Sequence, residues 1–283
     1  MKLVRWTNAG KIKTGIVTDN KLYDTTAFGE DYNEAFFEAD GLSRLQKFIN
    51  DNGQTLPVAE DGVTLLSPVA RPSKIVCIGL NYTDHAKETN TALPPEPVIF
   101  LKSTTALAGP NDDIIIPRNS IKTDWEVELA VVIGKKATYA DEANAMEYVA
   151  GYCLHNDVSE RAFQMERSGT WDKGKGCDTF APIGPYLVTK DEIKDVNNLR
   201  LWLKVNGKIM QDGNSGNLLF KIPFLVSYVS QFMTLLPGDI VSTGTPAGVG
   251  FGMNPQVYLR PGDVVELGID GLGTMRQNVK AYE

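Results

Sequence analysis

Residues 123–134, TDWEVELAVVIG, constrain this chain more than any other stretch. They combine two carboxylates, two residues apart, with an apolar run whose β-branched composition suits a strand. Successive side chains on a strand point to opposite faces, so Glu126 and Glu128 share one face while Val127 and Leu129 share the other. Two residues of strand rise are roughly 6–7 Å, close enough for two flexible carboxylates to converge on one point. Like charges that near, on so hydrophobic a strand, resist desolvation unless something positive sits between them. A divalent cation meets that need. The alternative is an edge strand that leaves both carboxylates in water.

The rest of the chain is patterned mainly for β-structure. Short strand-like runs at 3–6, 14–17 and 21–23 are broken by turn signals at Asn8-Ala9-Gly10 and Asp19-Asn20. Leu42, Leu45, Phe48 and Ile49 then recur with helical spacing. Two prolines within 66–73 mark a linker, which divides the chain into a small N-terminal α+β domain, residues 1–68, and a larger domain, 69–283. In the larger part, strands are expected at 75–78, 97–101, 114–117, 201–209, 239–243 and 263–267, the fifth of them reaching Thr243. Asn206-Gly207 is the strongest short hairpin signal among them. Helices are expected over 141–150 and 223–236, the second with proline at its start. So many strands with so few helices between them predict an α+β, mainly β fold around an antiparallel or mixed sheet.

The formal charge of −7 argues against a nucleic-acid surface, which needs clustered Lys and Arg. Three cysteines, Cys77, Cys153 and Cys177, lie far apart without CxxC spacing and read as reduced thiols, not as a disulfide framework. The N-terminus lacks the apolar core of a signal peptide, and no apolar run approaches the roughly 20 residues of a membrane span. A soluble, cytoplasmic protein is the expectation.

A third acidic residue sharpens the reading of the strand pair. Asp157 follows the apolar passage 150–154 and precedes the polar run Val158-Ser159-Glu160-Arg161. Three carboxylates and water form a hard-oxygen set suited to Mg²⁺ or Mn²⁺, with Ca²⁺ possible on the same chemistry. Zinc would want His or Cys, and no His-x-x-x-His or paired cysteines exist. His85 stands three residues before Glu88, neighbours on one helical turn, so that the carboxylate can orient the imidazole as a general base. On spacing alone the plainer reading of the pair is a surface contact on a helix. His155, in an apolar passage, reads as a hydrogen-bonded structural residue. Lys175 lies in the glycine-containing stretch DKGKGCD, where a tight loop can present an ammonium to an anion or simply leave it solvated. Residues 243–250, TGTPAGVG, lack the Gly-Lys-Ser/Thr of a P-loop, yet their backbone amides can hold a carboxylate or carbonyl oxygen.

In order along the chain, GLNYTDHAKE, TDWEVELAVVIG, HNDVSERAFQ, GKGCDTFAPIGP, LWLKVNGKIMQDG, LVSYVSQFMTLLPGDIVSTGTPAGVG and PGDVVELGIDGLG resemble the fumarylacetoacetate hydrolase family, in its acylpyruvase-like branch. The resemblance runs from about Lys74 to the C-terminus. It implies a β-roll catalytic domain, a homodimer, and an Mg²⁺ or Mn²⁺ ion held by Glu126, Glu128 and Asp157. It further implies His85 and Glu88 as the water-activating dyad on a lid, Lys175 as oxyanion stabiliser, and Arg161, Gln164 and Thr245 as substrate contacts. Leu80 departs from the pattern, since relatives often carry arginine before the Asn-Tyr pair. The implied reaction is metal-dependent hydrolysis of a carbon–carbon bond in a small anionic 2,4-dioxo acid, giving a 2-oxo acid and a carboxylic acid. The runner-up keeps the metal enolate without water attack: decarboxylation or tautomerisation of oxaloacetate, or another lyase or dehydratase reaction. A third class, a non-catalytic metal-binding protein, has no use for His85, Glu88 and Lys175 together.

Overall fold

The computed structural model describes residues 1–59, 62–88 and 92–283, and of Gln54, His85, Ala86 and Lys87 the backbone alone. The architecture is α+β, mainly β. Its centre is an 11-stranded mixed sheet in which Lys21–Asp24, Lys11–Thr18, Lys2–Asn8, Ala181–Thr189, Val149–Asn156, Val127–Ile133, Ile240–Ser242, Ile75–Gly79 and Val98–Lys102 follow one another in space. Along that path neighbours are antiparallel except Ile240–Ser242 beside Ile75–Gly79. A 5-stranded sheet, from Lys208–Asn214 through Arg200–Val205, Val264–Ile269 and Gly273–Ala281 to Ile114–Ile116, packs against the central strands.

Local chemistry explains the tight turns. Ala9-Gly10, Asp19-Asn20 and Asn206-Gly207 each have positive φ at both positions, the requirement of the two-residue turn that matches strand twist. Asn206-Gly207 therefore closes the hairpin of Arg200–Val205 on Lys208–Asn214. Helix Gly41–Asn52 buries Leu45 and leans Leu42, Phe48 and Ile49 on the core, as their spacing demands.

Three elements differ from expectation. Only Glu142–Tyr148 coils, as 3-10 turns, in the stretch read as helix 141–150; Val149 and Ala150 join the strand Val149–Asn156, where Val149 pairs with Ile133. A β-branched residue that can extend an interior strand gains more from pairing than from one further helical turn. Helix Ile222–Phe232, with Pro223 in its first turn, stops four residues short of Leu236 because Leu235 bridges Ala137 in extended conformation. The acidic strand is also interrupted. Thr123–Asp124 pairs with Ser159–Glu160, and the regular strand resumes at Val127. Between them Trp125 is pinned by its indole Nε1–H to the Gly248 carbonyl, 3.0 Å away.

Every residue of Val127–Ile133 is buried, flanked by Val149–Asn156 on one side and Ile240–Ser242 on the other. Truncating a side chain such as Leu129 to alanine there costs about 2–5 kcal/mol. The register of this rigid centre sets up the site. Val127 pairs with Asn156, so Glu126 and Asp157 emerge side by side where the two strands part, joined by the Asp157 amide donating to the Glu126 carbonyl at 2.9 Å.

Candidate active site

Glu126, Glu128 and Asp157 each offer a carboxylate oxygen within 4.8 Å of the others, and all three are buried. The convergence read from a continuous strand thus arises differently: Glu126 reaches the cluster from the break in the strand, and Glu128 from its second regular residue. Glu128 Oε2 accepts from the Ser242 hydroxyl and from the Gly244 amide, 3.1 Å away. Burial, followed by the charges of Asp157 and Glu126, pushes the Glu128 carboxyl well above the usual range. Burial also opposes ionisation of Asp157, but Lys102 and Lys175 beside it more than offset that and hold it below the usual range.

Lys175 is not in a solvated loop. It ends the one-turn helix Asp172–Lys175, is buried, and donates 2.8 Å hydrogen bonds to Glu126 Oε2 and to Asp157 Oδ2. Gly174 makes that approach possible, since a Cβ there would fall 2.4 Å from the Glu160 carbonyl oxygen. Burial lowers the ammonium's pKa, yet the Asp157 and Glu126 charges raise it further than burial depresses it, so Lys175 stays protonated. Arg161 opens the short helix Arg161–Met165; its guanidinium pairs with Asp124 and with Glu126 Oε1 at 2.6 Å, and donates to Gln164 Oε1 at 3.1 Å.

The glycine-containing loop after Ile240–Ser242 does hold carboxylates with its amides, and they are the protein's own. Gly244 binds Glu128, Gly248 binds Glu88 at 2.9 and 3.0 Å to its two oxygens, and Gly250 binds Asp124 at 2.7 Å. Thr245 Oγ1 donates to the Val127 carbonyl and accepts from Gln211 Nε2. Thr83–Glu88 is a helix, as the His85–Glu88 spacing requires; the side chain of His85 lies outside the described residues. His155 is the hydrogen-bonded core residue expected: its Nδ1 lies 2.6 Å from Ser242 Oγ, and burial pushes its pKa down to about 3.

A cavity of about 210 Å³ opens on this cluster. Glu126, Glu128, Arg161, Gln164, Lys175 and Thr245 line it together. Three further side chains complete the arrangement and were not singled out in the sequence. Lys102 is buried and bonds Asp157 Oδ1; it shares the inward face of Val98–Lys102 with Phe100, so period-two alternation was the available signal. Asp124 clamps Arg161 and two loop amides. Gln211 bonds the Val127 amide, Thr245 Oγ1 and the Pro246 carbonyl, contacts across two sheets that no local pattern announces.

Four carboxylates, with Asp124, therefore face three cations, Lys102, Arg161 and Lys175. Among the described residues those ion pairs reach Asp124, Glu126 and Asp157 but not Glu128, whose charge burial opposes, and the converging donors are oxygen atoms alone. That donor set fits a hard divalent cation.

Sequence comparison gives the same class. The family model described as fumarylacetoacetate (FAA) hydrolase C-terminal matches residues 74–280. A protein of Burkholderia multivorans with a provisional hydrolase name is 49% identical over 283 residues, covering 99% of both chains. Among solved structures, the fumarylacetoacetate hydrolase of Exiguobacterium antarcticum superposes with TM-score 0.87 at 34% identity over 100% of each chain. Maleylpyruvate hydrolase of Sphingobium sp. SYK-6, solved with manganese(II) and pyruvate, gives 0.84 at 29% identity, also over 100% of each chain. The 2-hydroxyhepta-2,4-diene-1,7-dioate isomerase of Mycobacterium marinum gives 0.76 at 32%, over 99% of this chain and 98% of that one. The chain belongs to the fumarylacetoacetate hydrolase family and has the fold of its enzymes. Among the described residues, no helix is long and apolar enough to cross a membrane.

Proposed function

We propose that the protein is a divalent-metal-dependent hydrolase that cleaves a carbon–carbon bond in a 2,4-dioxo acid of the acylpyruvate type. The observation that carries this reading is the buried cluster of Glu126, Glu128 and Asp157, two of whose members, Glu126 and Glu128, line a cavity together with Lys175 and Arg161. The manganese and pyruvate in the Sphingobium neighbour support it. Glu126, Glu128 and Asp157 are the proposed metal ligands, with Mg²⁺ or Mn²⁺ the ion that suits three carboxylates. Such an ion supplies Lewis-acid stabilisation of enolate charge when bound.

In this reading His85, held by Glu88, takes a proton from water, whose oxygen adds to the distal carbonyl carbon. The Lys175 ammonium, lining the same cavity, steadies the oxyanion that forms there. When the oxyanion collapses, the carbon–carbon bond breaks and its electron pair passes to the methylene carbon, which is then protonated. A 2-oxo acid and a carboxylic acid are released. Arg161 and Gln164 orient the substrate's polar end, while the Thr245 hydroxyl, bonded to Val127 and Gln211, fixes the loop beside it. These residues all belong to 69–283, taken as the catalytic domain, with 1–68 as a small N-terminal domain. A homodimer completes the proposal and is checked by light scattering.

An isomerase among the structural neighbours supports a second reading, in which the enolate forms without water attack. Turnover of acylpyruvates in ¹⁸O-labelled water separates the two. Label in the product carboxylic acid, with activity lost to chelator and restored by Mg²⁺, is the outcome expected. Metal-dependent consumption without label would replace hydrolysis by the second reading.

A further inference from the structure

The cavity lining is of two kinds, the charged cluster and an apolar set of Ile78, Leu80, Phe100, Met165, Trp171 and Phe251. Phe100 and Phe251 join the two, their ring centroids 4.9 Å from the Lys175 ammonium and 5.7 Å from the Arg161 guanidinium, and the other four extend the apolar wall. Trp171 packs on Phe100, ring centroids 5.2 Å apart, and lies against Gly79, where a Cβ would come within 2.6 Å of the indole. Leu80 follows at once, with φ of +56°, a conformation leucine seldom adopts. The next residue secures it: Asn81 donates to the Thr243 carbonyl at 2.8 Å and to the Phe220 carbonyl at 3.1 Å, and accepts from the Phe220 amide at 2.8 Å. The backbone is thus anchored so that an aliphatic side chain joins the apolar wall.

Among the described lining residues the only cations are Arg161 and Lys175. Both face carboxylates of the cluster, Arg161 those of Asp124 and Glu126 and Lys175 those of Glu126 and Asp157, and in the reaction proposed above both serve the substrate's polar end. A second carboxylate at the far end of a substrate would lose its water and meet indole, phenyl and alkyl groups instead of a partner, which is strongly unfavourable. An uncharged alkyl or aryl end would bury against them favourably.

We propose that this wall is the distal-group subsite, and that it selects 2-oxo acids whose far end is uncharged and apolar over dicarboxylic ones, with Leu80 as a specificity-determining residue. The inference rests on the function proposed above for the charged cluster, so its test uses compounds that bind without being cleaved. 2-Oxohexanoate and 2-oxoadipate share a chain length, lack the second carbonyl, and differ only in the terminal carboxylate. Titration calorimetry on the whole protein with Mg²⁺ is expected to find 2-oxohexanoate bound about tenfold or more tighter. Leu80→Arg should narrow or reverse that ratio, because a guanidinium pairs with the terminal carboxylate. Met165→Arg, at an exposed position on the same wall, serves the same purpose if Leu80→Arg fails to fold. Equal or tighter binding of 2-oxoadipate by the native protein overturns the proposal, as does binding of neither. Turnover of butanoylpyruvate and succinylpyruvate, measured alongside, tests the hydrolase reading separately. Selective binding without cleavage of either leaves the subsite standing and removes the hydrolase.

Discussion

Replacing Glu126 by glutamine keeps the shape of a side chain in the buried cluster and removes its charge. The loss can be followed in two states. Without metal, the carboxylate pairs with Arg161 and Lys175, but Arg161 retains Asp124 and Lys175 retains Asp157. Each cation keeps a carboxylate, so the variant should lose about 1–3 kcal/mol, the cost of a lost buried hydrogen-bond partner and less than the roughly 3–5 kcal/mol of a buried ion pair broken outright. With metal the consequence is larger. A ligand at about 100 times its Kd stabilises the native protein by about 2.7 kcal/mol. For a chain of 283 residues that is a rise in Tm of roughly 4–5 °C. The glutamine variant, with one of three anionic ligands gone, should show almost none of it. Differential scanning calorimetry in excess MgCl2 and in EDTA measures both quantities on one sample. An equal Mg²⁺-dependent rise in variant and native protein would refute the assignment of Glu126 as a ligand.

Other substitutions probe the rest of the site. Lys175→Met should lower kcat by about 100- to 1,000-fold in a steady-state assay. Metal affinity should hold or improve in a direct titration, because a cation that competes for Glu126 and Asp157 is gone. Gln211→Leu leaves the Val127 amide and the Pro246 carbonyl without their buried partner and should cost about 3 kcal/mol in urea unfolding; a loss below about 0.5 kcal/mol would mean the two sheets do not depend on it. Gly248→Ala combines a φ of +106° with a Cβ 1.9 Å from the Met210 carbonyl oxygen, so more than about 2 kcal/mol should be lost. Retained stability there would show that the loop adjusts without strain.

Most of the β-architecture was legible because its signals are local. Two-residue turns with Asn or Gly announce themselves, and the apolar runs at 97–101 and in Val127–Ile133 need no knowledge of a partner. The acidic cluster was legible for the opposite reason: three carboxylates in apolar surroundings are costly, so their positions raise the question of a counter-charge. What the sequence concealed depends on distance. Lys102 lies 55 residues before Asp157, and nothing near either residue links them. The stretch 141–150 was misjudged because Val149 is claimed by a sheet neighbour, Ile133, that helical periodicity does not see. Lys175 looked solvated because its glycines suggested a loop; one of them instead allows a helical turn to pack against Glu160.

The loop 243–250 is a common support for parts of the site that lie far apart in sequence. Its amides grip Glu128 of the acidic cluster, Glu88 at the end of the Thr83–Glu88 helix, and Asp124, the partner of Arg161. One stretch of backbone therefore holds a proposed metal ligand, the helix that bears the proposed base, and the carboxylate that clamps the arginine at the cavity wall. A substitution that displaces this loop is expected to disturb all three together.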